Sequence, residues 1–552
     1  MPSKRIEIMP AKPKAPPEDN TFDEFIAVDI PVDDENKFFS WRKLWLFTGP
    51  GFLMSIAYLD PGNIESDLQA GALAKYKLLW ILLMSHVVGM ALQRMSARLG
   101  VVSGKHLAEI AYDYYPVAPR LLLWIMIEIA IVCSDMQEVI GTAIAIYLLS
   151  RGHIPLLFGV LITILDTFTF LLIDRYGIRK LELIFGILIS TMAISFGYEF
   201  VVMKPPIGSI AVGTLVPWCE GCGKEEIIMA ISIIGAVIMP HNFYLHSALV
   251  KSRKVDRTNS KRVAEANKYF AIESAIALFI SFFINLFVLA VFAHGLYGKT
   301  NEDVSSLCLA HNDIPDSNVF PNNTDSVDID IFQGGIYLGC QFGLLAMLIW
   351  AIGIFAAGQS STMTGTYTGQ FVMEGFIKIT WPKWKRVLVT RAVAITPTLI
   401  LAVKSHGIQN LTGMNDFLNC VQSVQLPFAL IPMITFTSSE KIMHSFRNSK
   451  PLQIFALMSS VFIIAINSYF IYDTVHERLG TEWYVLVGVI PVTILYALFV
   501  FYLSVYCLVE CELIDDNLEI PGFDFQRPLK TDAPWLMSDN VVRIPRVNLG
   551  YM

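Results

Sequence analysis

Charge is what this sequence has least of. Of its 552 residues only 16% are Asp, Glu, Lys or Arg, whereas 54% are hydrophobic and the mean hydropathy is +0.53. A water-soluble chain carries about a quarter charged residues, so the shortage excludes a soluble globular protein and leaves the bilayer as solvent. The net charge of -7 comes with no cluster of Lys and Arg interleaved with aromatics, which excludes nucleic acid as a partner. Residues 1–43 lack the apolar core of a cleavable signal peptide. They are polar and hold Pro2, Pro10, Pro13, Pro16, Pro17 and Pro31, so they are expected to form a disordered tail in water. The stretch 512–552, with Pro521, Pro528, Pro534 and Pro545, is expected to be a second one.

A disulfide framework and a nucleotide site are not expected either. The cysteines Cys133, Cys219, Cys222, Cys308, Cys340, Cys420, Cys507 and Cys511 are scattered and make no framework, so most are expected to be packing residues. Cys219-Glu220-Gly221-Cys222 has a zinc-like spacing without a second half; these two are expected to enter a disulfide, with Cys308 as a candidate partner, or to stay free. The Gly/Ser/Thr-rich stretch 358–376 lacks the Gly-Lys-Ser/Thr ending and the preceding strand of a phosphate cradle.

What the sequence has is long apolar runs. About 20 apolar residues are needed to cross the hydrocarbon core as a helix, because no backbone polar group can stay unpaired in lipid. Twelve runs qualify: 44–72, 78–99, 121–149, 154–173, 183–202, 227–250, 271–296, 335–357, 387–403, 414–436, 454–472 and 483–509. The expectation is an all-α integral membrane protein with twelve transmembrane helices. The loops after even-numbered runs are basic, with Arg175, Arg179 and Lys180, then Lys251, Arg253, Lys254, Arg257, Lys261, Arg262 and Lys268, then Lys378, Lys383, Lys385 and Arg386. Basic loops stay on the cytoplasmic side, so both termini are expected there. The loop 297–331 is then outside, where Asn322-Asn323-Thr324 is an acceptor for glycosylation at Asn322. A second acceptor triplet, Asn410-Leu411-Thr412, lies too close to the membrane.

Two of the runs are interrupted in the same way. The first carries Asp60-Pro61-Gly62-Asn63 at its middle and the sixth carries Gly235-Ala236-Val237-Ile238-Met239-Pro240-His241-Asn242. Proline removes an amide and clashes with the preceding turn, and a carboxylate at that depth is expensive, so both helices should unwind. Irregular backbone survives there only around a cavity. Runs 1 and 6 are the first of two five-span halves, 44–203 and 227–436, joined by an outer loop 204–226 and followed by helices 11 and 12 in 437–511. An odd number of spans per half inverts the second half, and matching broken segments place a substrate site near the midplane between the halves.

Read for their chemistry alone, Asp60, Asn63 and Met239 offer a carboxylate, an amide oxygen and a thioether. Hard oxygens alone suit Ca and Mg, whereas sulfur adds preference for softer transition ions. A lone intramembrane Met is ordinarily packing; beside Pro240 and opposite Asp60 it reads as a ligand. Proton handling needs buried titratable groups, and Glu128, Asp135 and Glu138 recur along one helix, with Asp166, His241 and His246 elsewhere.

The segments Asp60-Pro61-Gly62-Asn63 and Met239-Pro240-His241-Asn242, with the stretch 358–376, closely resemble the Nramp family of metal-ion transporters. The resemblance runs over about 41–509. It implies a LeuT-type inverted 5+5 repeat with broken helices 1 and 6 plus two extra C-terminal helices, and proton-coupled import of Mn2+, Fe2+ and related ions by alternating access. It assigns Asp60, Asn63 and Met239 as metal ligands and adds the Ala236 carbonyl and Gln422. It implies proton coupling through Asp60, Glu138 and His241, with Arg391 as counter-charge; Asp135 belongs to the same group. No enzyme activity and no permanently bound cofactor are expected. The implied partners are divalent metal ions, protons and the lipid bilayer, in the plasma or endosomal membrane, with no oligomer required. Two rival readings are a LeuT-type symporter of small organic solutes, which an intramembrane Asp beside a Met disfavours, and a non-transporting metal-sensing receptor, which would carry a large soluble output domain.

Overall fold

Proline and glycine decide where the helices stop, because proline gives no amide to the preceding turn and glycine takes left-handed backbone without strain. The computed structural model describes residues 28–30, 39–163, 178–309, 313–316, 318–378, 381–404, 414–479 and 482–515. The 44–72 run is not one helix. It forms α1 (Trp41–Phe47), α2 (Pro50–Ile56) and α3 (Pro61–Ala74), with turns at 57–60 where the interruption was expected. Next come α4 (Leu79–Ser103), α5 (Leu107–Tyr114) and the 33-residue α6 (Val117–Leu149). Half of the expected span 154–173, from 164 on, falls on residues outside those described, as do Asp166, Arg175 and the triplet at Asn410. The first half ends with α7 (Ile178–Met203), followed by α8 (Ile207–Leu215).

The sixth run is likewise two helices, α9 (Lys224–Val237) and α10 (Pro240–Leu249), separated at Ile238 and Met239. After them come α11 (Ser260–Gly295), α12 (Asn301–Cys308), α13 (Ile331–Phe342), α14 (Leu344–Ile377), α15 (Lys383–Lys404), α16 (Met414–Gln425), α17 (Pro427–Ser438), α18 (Lys450–Asp473) and α19 (Trp483–Glu510). Eight helical stretches among the described residues are long and apolar enough to cross a membrane. Their outer faces expose Ile187, Ile194 and Val201 on α7 and Val487, Ile494 and Phe501 on α19, faces that only lipid would cover.

Three expectations need correction. The expected span 335–357 is divided, because Gly343 adopts φ 90 and ends α13. The stretch 358–376, expected to follow that span, is instead the second half of α14. Its hydroxyls bond back to carbonyls of their own helix, Thr366 to Thr362 at 2.7 Å and Thr368 to Thr364 at 2.7 Å, which lets so polar a segment stay helical. The cysteines also pair differently. Cys219 bonds Cys222, while Cys308 bonds Cys340, which had been expected to pack. Cys340 sits on α13 with its Cα 4.7 Å from that of Cys308 at the end of α12, within disulfide reach.

Part of the N-terminal segment expected to be disordered is paired. Val28 and Asp29 form a strand (β1, Val28–Asp29) parallel to β2 (Arg253–Lys254) in the basic loop after α10. Lys43 Nζ lies 2.6 Å from Glu265 on α11, and the buried Arg253 donates to the carbonyls of Leu46 and Thr48 and meets Glu182 at 2.7 Å. At the core, α14 packs on α6 and α7, while α9 lies against α3 and α16. The two interrupted segments therefore meet.

Candidate metal centre

The first interruption is built by its own residues. Asp60 caps α3, its Oδ1 accepting from the Asn63 amide N–H at 2.8 Å and from Asn63 Nδ2 at 2.6 Å. Asp is a favoured cap because its oxygen serves the unpaired first-turn amides. Asn63 Nδ2 also donates across to the Ala236 carbonyl at 3.0 Å. That carbonyl belongs to the last turn of α9, where unpaired oxygens carry partial negative charge. Met239 is 1% exposed and caps α10 on the far side of the same break.

Gln422 of α16 reaches the first break through Gln137 and Asn419. Its Nε2 donates to Gln137 Oε1 at 2.7 Å, and Gln137 Nε2 donates to Asn419 Oδ1 at 2.7 Å and to the Asn415 carbonyl at 2.9 Å. Asn419 Nδ2 in turn donates to the Gly62 carbonyl at 3.0 Å. A Cβ on Gly62 would lie 2.7 Å from the Gln137 amide, so only glycine allows α3 to come this close to α6. Through this relay α3, α6 and α16 hold one another in register.

The unused atoms define what the centre can do. Asp60 Oδ2, Asn63 Oδ1 and Gln422 Oε1 are all buried and have no hydrogen-bond partner among the described residues. Buried oxygens are rarely left so. Three orphaned acceptors from three of the expected ligands, beside a helix-end carbonyl and a thioether, suit a cation. Among the described residues no group of three or more His, Cys, Asp and Glu is arranged to hold a metal, so a metal here would rely on this mixed oxygen and sulfur set.

A second cluster lies on another face of α6. Arg391 Nη1 of α15 is 3.1 Å from Asp135 Oδ1 and 3.5 Å from Glu138 Oε2. Glu138 Oε1 accepts from Ser361 Oγ at 2.6 Å, and Arg391 is steadied by the Thr366 hydroxyl at 3.0 Å and the Thr362 carbonyl. All three charged groups are at most 3% exposed. The α14 stretch thus supplies the hydroxyls that hold an acid pair against one guanidinium.

The structure brings together Asp60, Asn63 and Ala236 directly and Gln422 through Gln137, and it gathers Asp135, Glu138 and Arg391. It does not join His241, which is buried in the first turn of α10 and makes no hydrogen bond or ion pair with that acid cluster among the described residues. His246 is buried one turn further along. Glu128 also stands apart, accepting from Trp124 Nε1 at 2.8 Å. Asn322 is exposed in the 297–331 loop. The sequence reading missed Gln137 and Asn419. The signal was available: Asn415, Asn419 and Gln422 recur at helical spacing in an apolar run, a polar stripe that must face partners. It also missed Asp67 of α3, buried with one carboxylate oxygen unpartnered.

Comparison with known proteins points the same way. A family model described as natural resistance-associated macrophage protein-like, Nramp, matches residues 51–473. The chain is similar to the NRAMP-like transporter smf-2 of Caenorhabditis elegans, 76% identical over 529 residues that cover 96% of this chain and 97% of that one. It is 57% identical to human natural resistance-associated macrophage protein 2, covering 87% of this chain and 84% of that one. Among solved structures, a mutant of the Eremococcus coleocola manganese transporter aligns with TM-score 0.75 at 30% identity, over 89% of this chain and 99% of that one. A nucleobase-cation-symport-1 family transporter, 12% identical, aligns with TM-score 0.50 over 85% of this chain and 96% of that one, a likeness of fold alone.

Proposed function

The chain belongs to the Nramp family of divalent metal-ion transporters, and from that premise we propose that it imports Mn2+, Fe2+ and related ions towards the cytoplasm, coupled to protons, by alternating access. Asp60, Asn63, Met239, the Ala236 carbonyl and Gln422 form the metal set. The observation that carries this reading is the trio of buried, unpartnered oxygens on Asp60, Asn63 and Gln422.

The Asn63 amide bridges the two oxygens that would face a cation. Its Nδ2 sits 2.6 Å from Asp60 Oδ1 and 3.0 Å from the Ala236 carbonyl oxygen, placing partial positive charge between two oxygens. An arriving dication takes that place: the amide turns so that Oδ1 faces the metal, and the Ala236 carbonyl is released to the ion. Asp60 binds as carboxylate, because a nearby cation favours its charged form, and any proton it holds leaves. Met239 supplies the soft contact that separates Mn2+ and Fe2+ from Ca2+ and Mg2+. The set has one formal charge, which keeps binding reversible.

The Asp135, Glu138 and Arg391 cluster serves the proton. Two acids share one guanidinium, so the cluster is neutral only while one of them holds a proton, and that acid is the group that takes up and releases it. His241 lies beyond Pro240 in the first turn of α10 and is a further proton-coupling group beside Asp60. We further place twelve helices across the bilayer, both termini in the cytoplasm and glycosylation at the exposed Asn322.

The experiment that tests this reading is Mn2+ uptake into proteoliposomes with acid outside, with Ca2+ as competitor. Gradient-stimulated uptake that Ca2+ leaves unchanged is the expected result. Uptake that ignores the gradient removes proton coupling, and equal competition by Ca2+ removes the soft-ligand argument.

A further inference from the structure

At the basic end of the bundle the join between α1 and α2 is held from two sides. Glu273 of α11 accepts from the amides of Gly49 and Gly51, the latter at 3.0 Å. Arg253 donates to the carbonyls of Leu46 at 2.9 Å and Thr48 at 2.7 Å while it meets Glu182 of α7 at 2.7 Å. Amides and carbonyls that the interruption of the helix leaves over are thus taken up by charged side chains. α1 is fixed to α11 as well: the Ser40 N–H donates to the Tyr269 hydroxyl at 2.8 Å, and Phe47 stacks on the Tyr269 ring with centroids 5.3 Å apart.

Arg253 is 2% exposed and stands in β2. Its backbone is paired with β1, where Val28 lies opposite Arg253 and Asp29 opposite Lys254 in parallel register. Ile30, just after β1, and Val255, just after β2, both pack on the core cluster that contains Phe47 and Tyr269. Because β1 also precedes α1 in the chain, these contacts close a ring. It runs from β1 through α1 to the α1–α2 join, across Arg253 to β2, and back to β1 by strand pairing. α2 cannot swing away from α7 and α11 without breaking the ring somewhere. The two-residue pairing is its weakest link, since a lone pair of strands is marginal in water, whereas the bonds to Arg253 and Glu273 are charge-assisted and buried.

We propose that β1 is a detachable latch on the inner half of the first broken helix. Paired with β2, it keeps Arg253 on the Leu46 and Thr48 carbonyls and the basic end stays shut. Released, it frees the α1–α2 join to move. An extended segment added to a strand edge is held through main-chain hydrogen bonds, so the latch opens without any change in the buried ion pairs of the bundle core. The latch stands on the contacts themselves; its consequence for transport rests on the alternating-access reading.

The test is hydrogen–deuterium exchange of the full-length protein, read by mass spectrometry, in the double variant Val28→Pro with Asp29→Pro. Two successive prolines remove whichever of these amides faces β2. Amides of residues 44–56 should exchange at least about five-fold faster than in the wild type, while those of α6 and α14 keep their rates, as a local opening requires. Unchanged exchange at 44–56, or faster exchange throughout the bundle, overturns the latch. In a second arm Asp29→Cys with Lys254→Cys, opposite one another in register, is bridged by a short bifunctional methanethiosulfonate. Bridging should bring Mn2+ uptake into proteoliposomes to background and a reductant should restore it, with the wild type carried through both treatments. Undiminished uptake by the bridged protein overturns release as a step of the cycle. Failure of the wild type to take up Mn2+ counts against the transport reading alone, and exchange at 44–56 then decides the latch.

Discussion

Gly365→Ala isolates the acid cluster from the metal centre. A Cβ at Gly365 would lie 2.5 Å from Asp135 Oδ1 and 3.2 Å from Glu138 Oε1, against a carbon to oxygen contact of about 3.3 Å or more. Asp135 must therefore retreat by nearly an ångström, and the atom that moves is the one paired with Arg391 at 3.1 Å. Overpacking of this size costs about 1–3 kcal/mol. If the cluster has to assemble in each cycle, that penalty slows proton-driven Mn2+ uptake by roughly 5- to 150-fold. Mn2+ binding measured without a gradient should stay as in the wild type, because the three atoms nearest the new Cβ belong to Asp135 and Glu138, outside the metal set. The control is Gly369→Ala, one turn along the same helix. There the new Cβ would approach nothing nearer than the Thr390 methyl at 3.3 Å, so uptake should stay within about two-fold. Wild-type uptake by Gly365→Ala, or equal impairment by Gly369→Ala, would refute the reasoning.

Asp60→Asn removes the one formal charge of the metal set, so Mn2+ uptake should fall to background and calorimetric binding should disappear; preserved uptake moves the site elsewhere. Met239→Ala should leave the melting temperature within a few degrees while narrowing the preference for Mn2+ and Cd2+ over Ca2+ in competition uptake, and unchanged selectivity reduces Met239 to packing. Gln137→Ala strands the Gln422 and Asn419 amides, each stranding costing about 1–3 kcal/mol; it should lower both the melting temperature and the Mn2+ affinity, and an effect on neither would show that the relay is dispensable. For Asn322→Gln, loss of the glycosidase-sensitive mobility shift in protein expressed in animal cells is expected, and a shift that survives places the glycan elsewhere.

How much of this was legible in the sequence differs from residue to residue. The breaks at Pro61 and Pro240 were readable, because a missing amide interrupts a helix in any surroundings. Apolar runs long enough to cross a bilayer were readable for the same local reason, since backbone polarity must be satisfied within the segment. Asp60, Asn63 and Met239 stood out because polar or soft groups beside a break are costly unless used. The stretch 358–376 was misjudged because its hydroxyls are satisfied within the helix, and composition does not say where a hydroxyl points.

The sequence by itself determined that the chain lies in a membrane and that two helices unwind at matching places, and it offered the side chains that we propose for a soft dication. Only the tertiary structure decided that Asn63 bridges Asp60 to Ala236, that Gln137 ties Gln422 to the first break, that Arg391 serves Asp135 and Glu138 while His241 stands apart, and that Cys308 closes on Cys340. The difference is one of range. Helix breaks and lipid solubility follow from interactions within a few residues, whereas Asn63 and Ala236, or Glu138 and Arg391, lie far apart in the chain and meet only through the packing of whole helices.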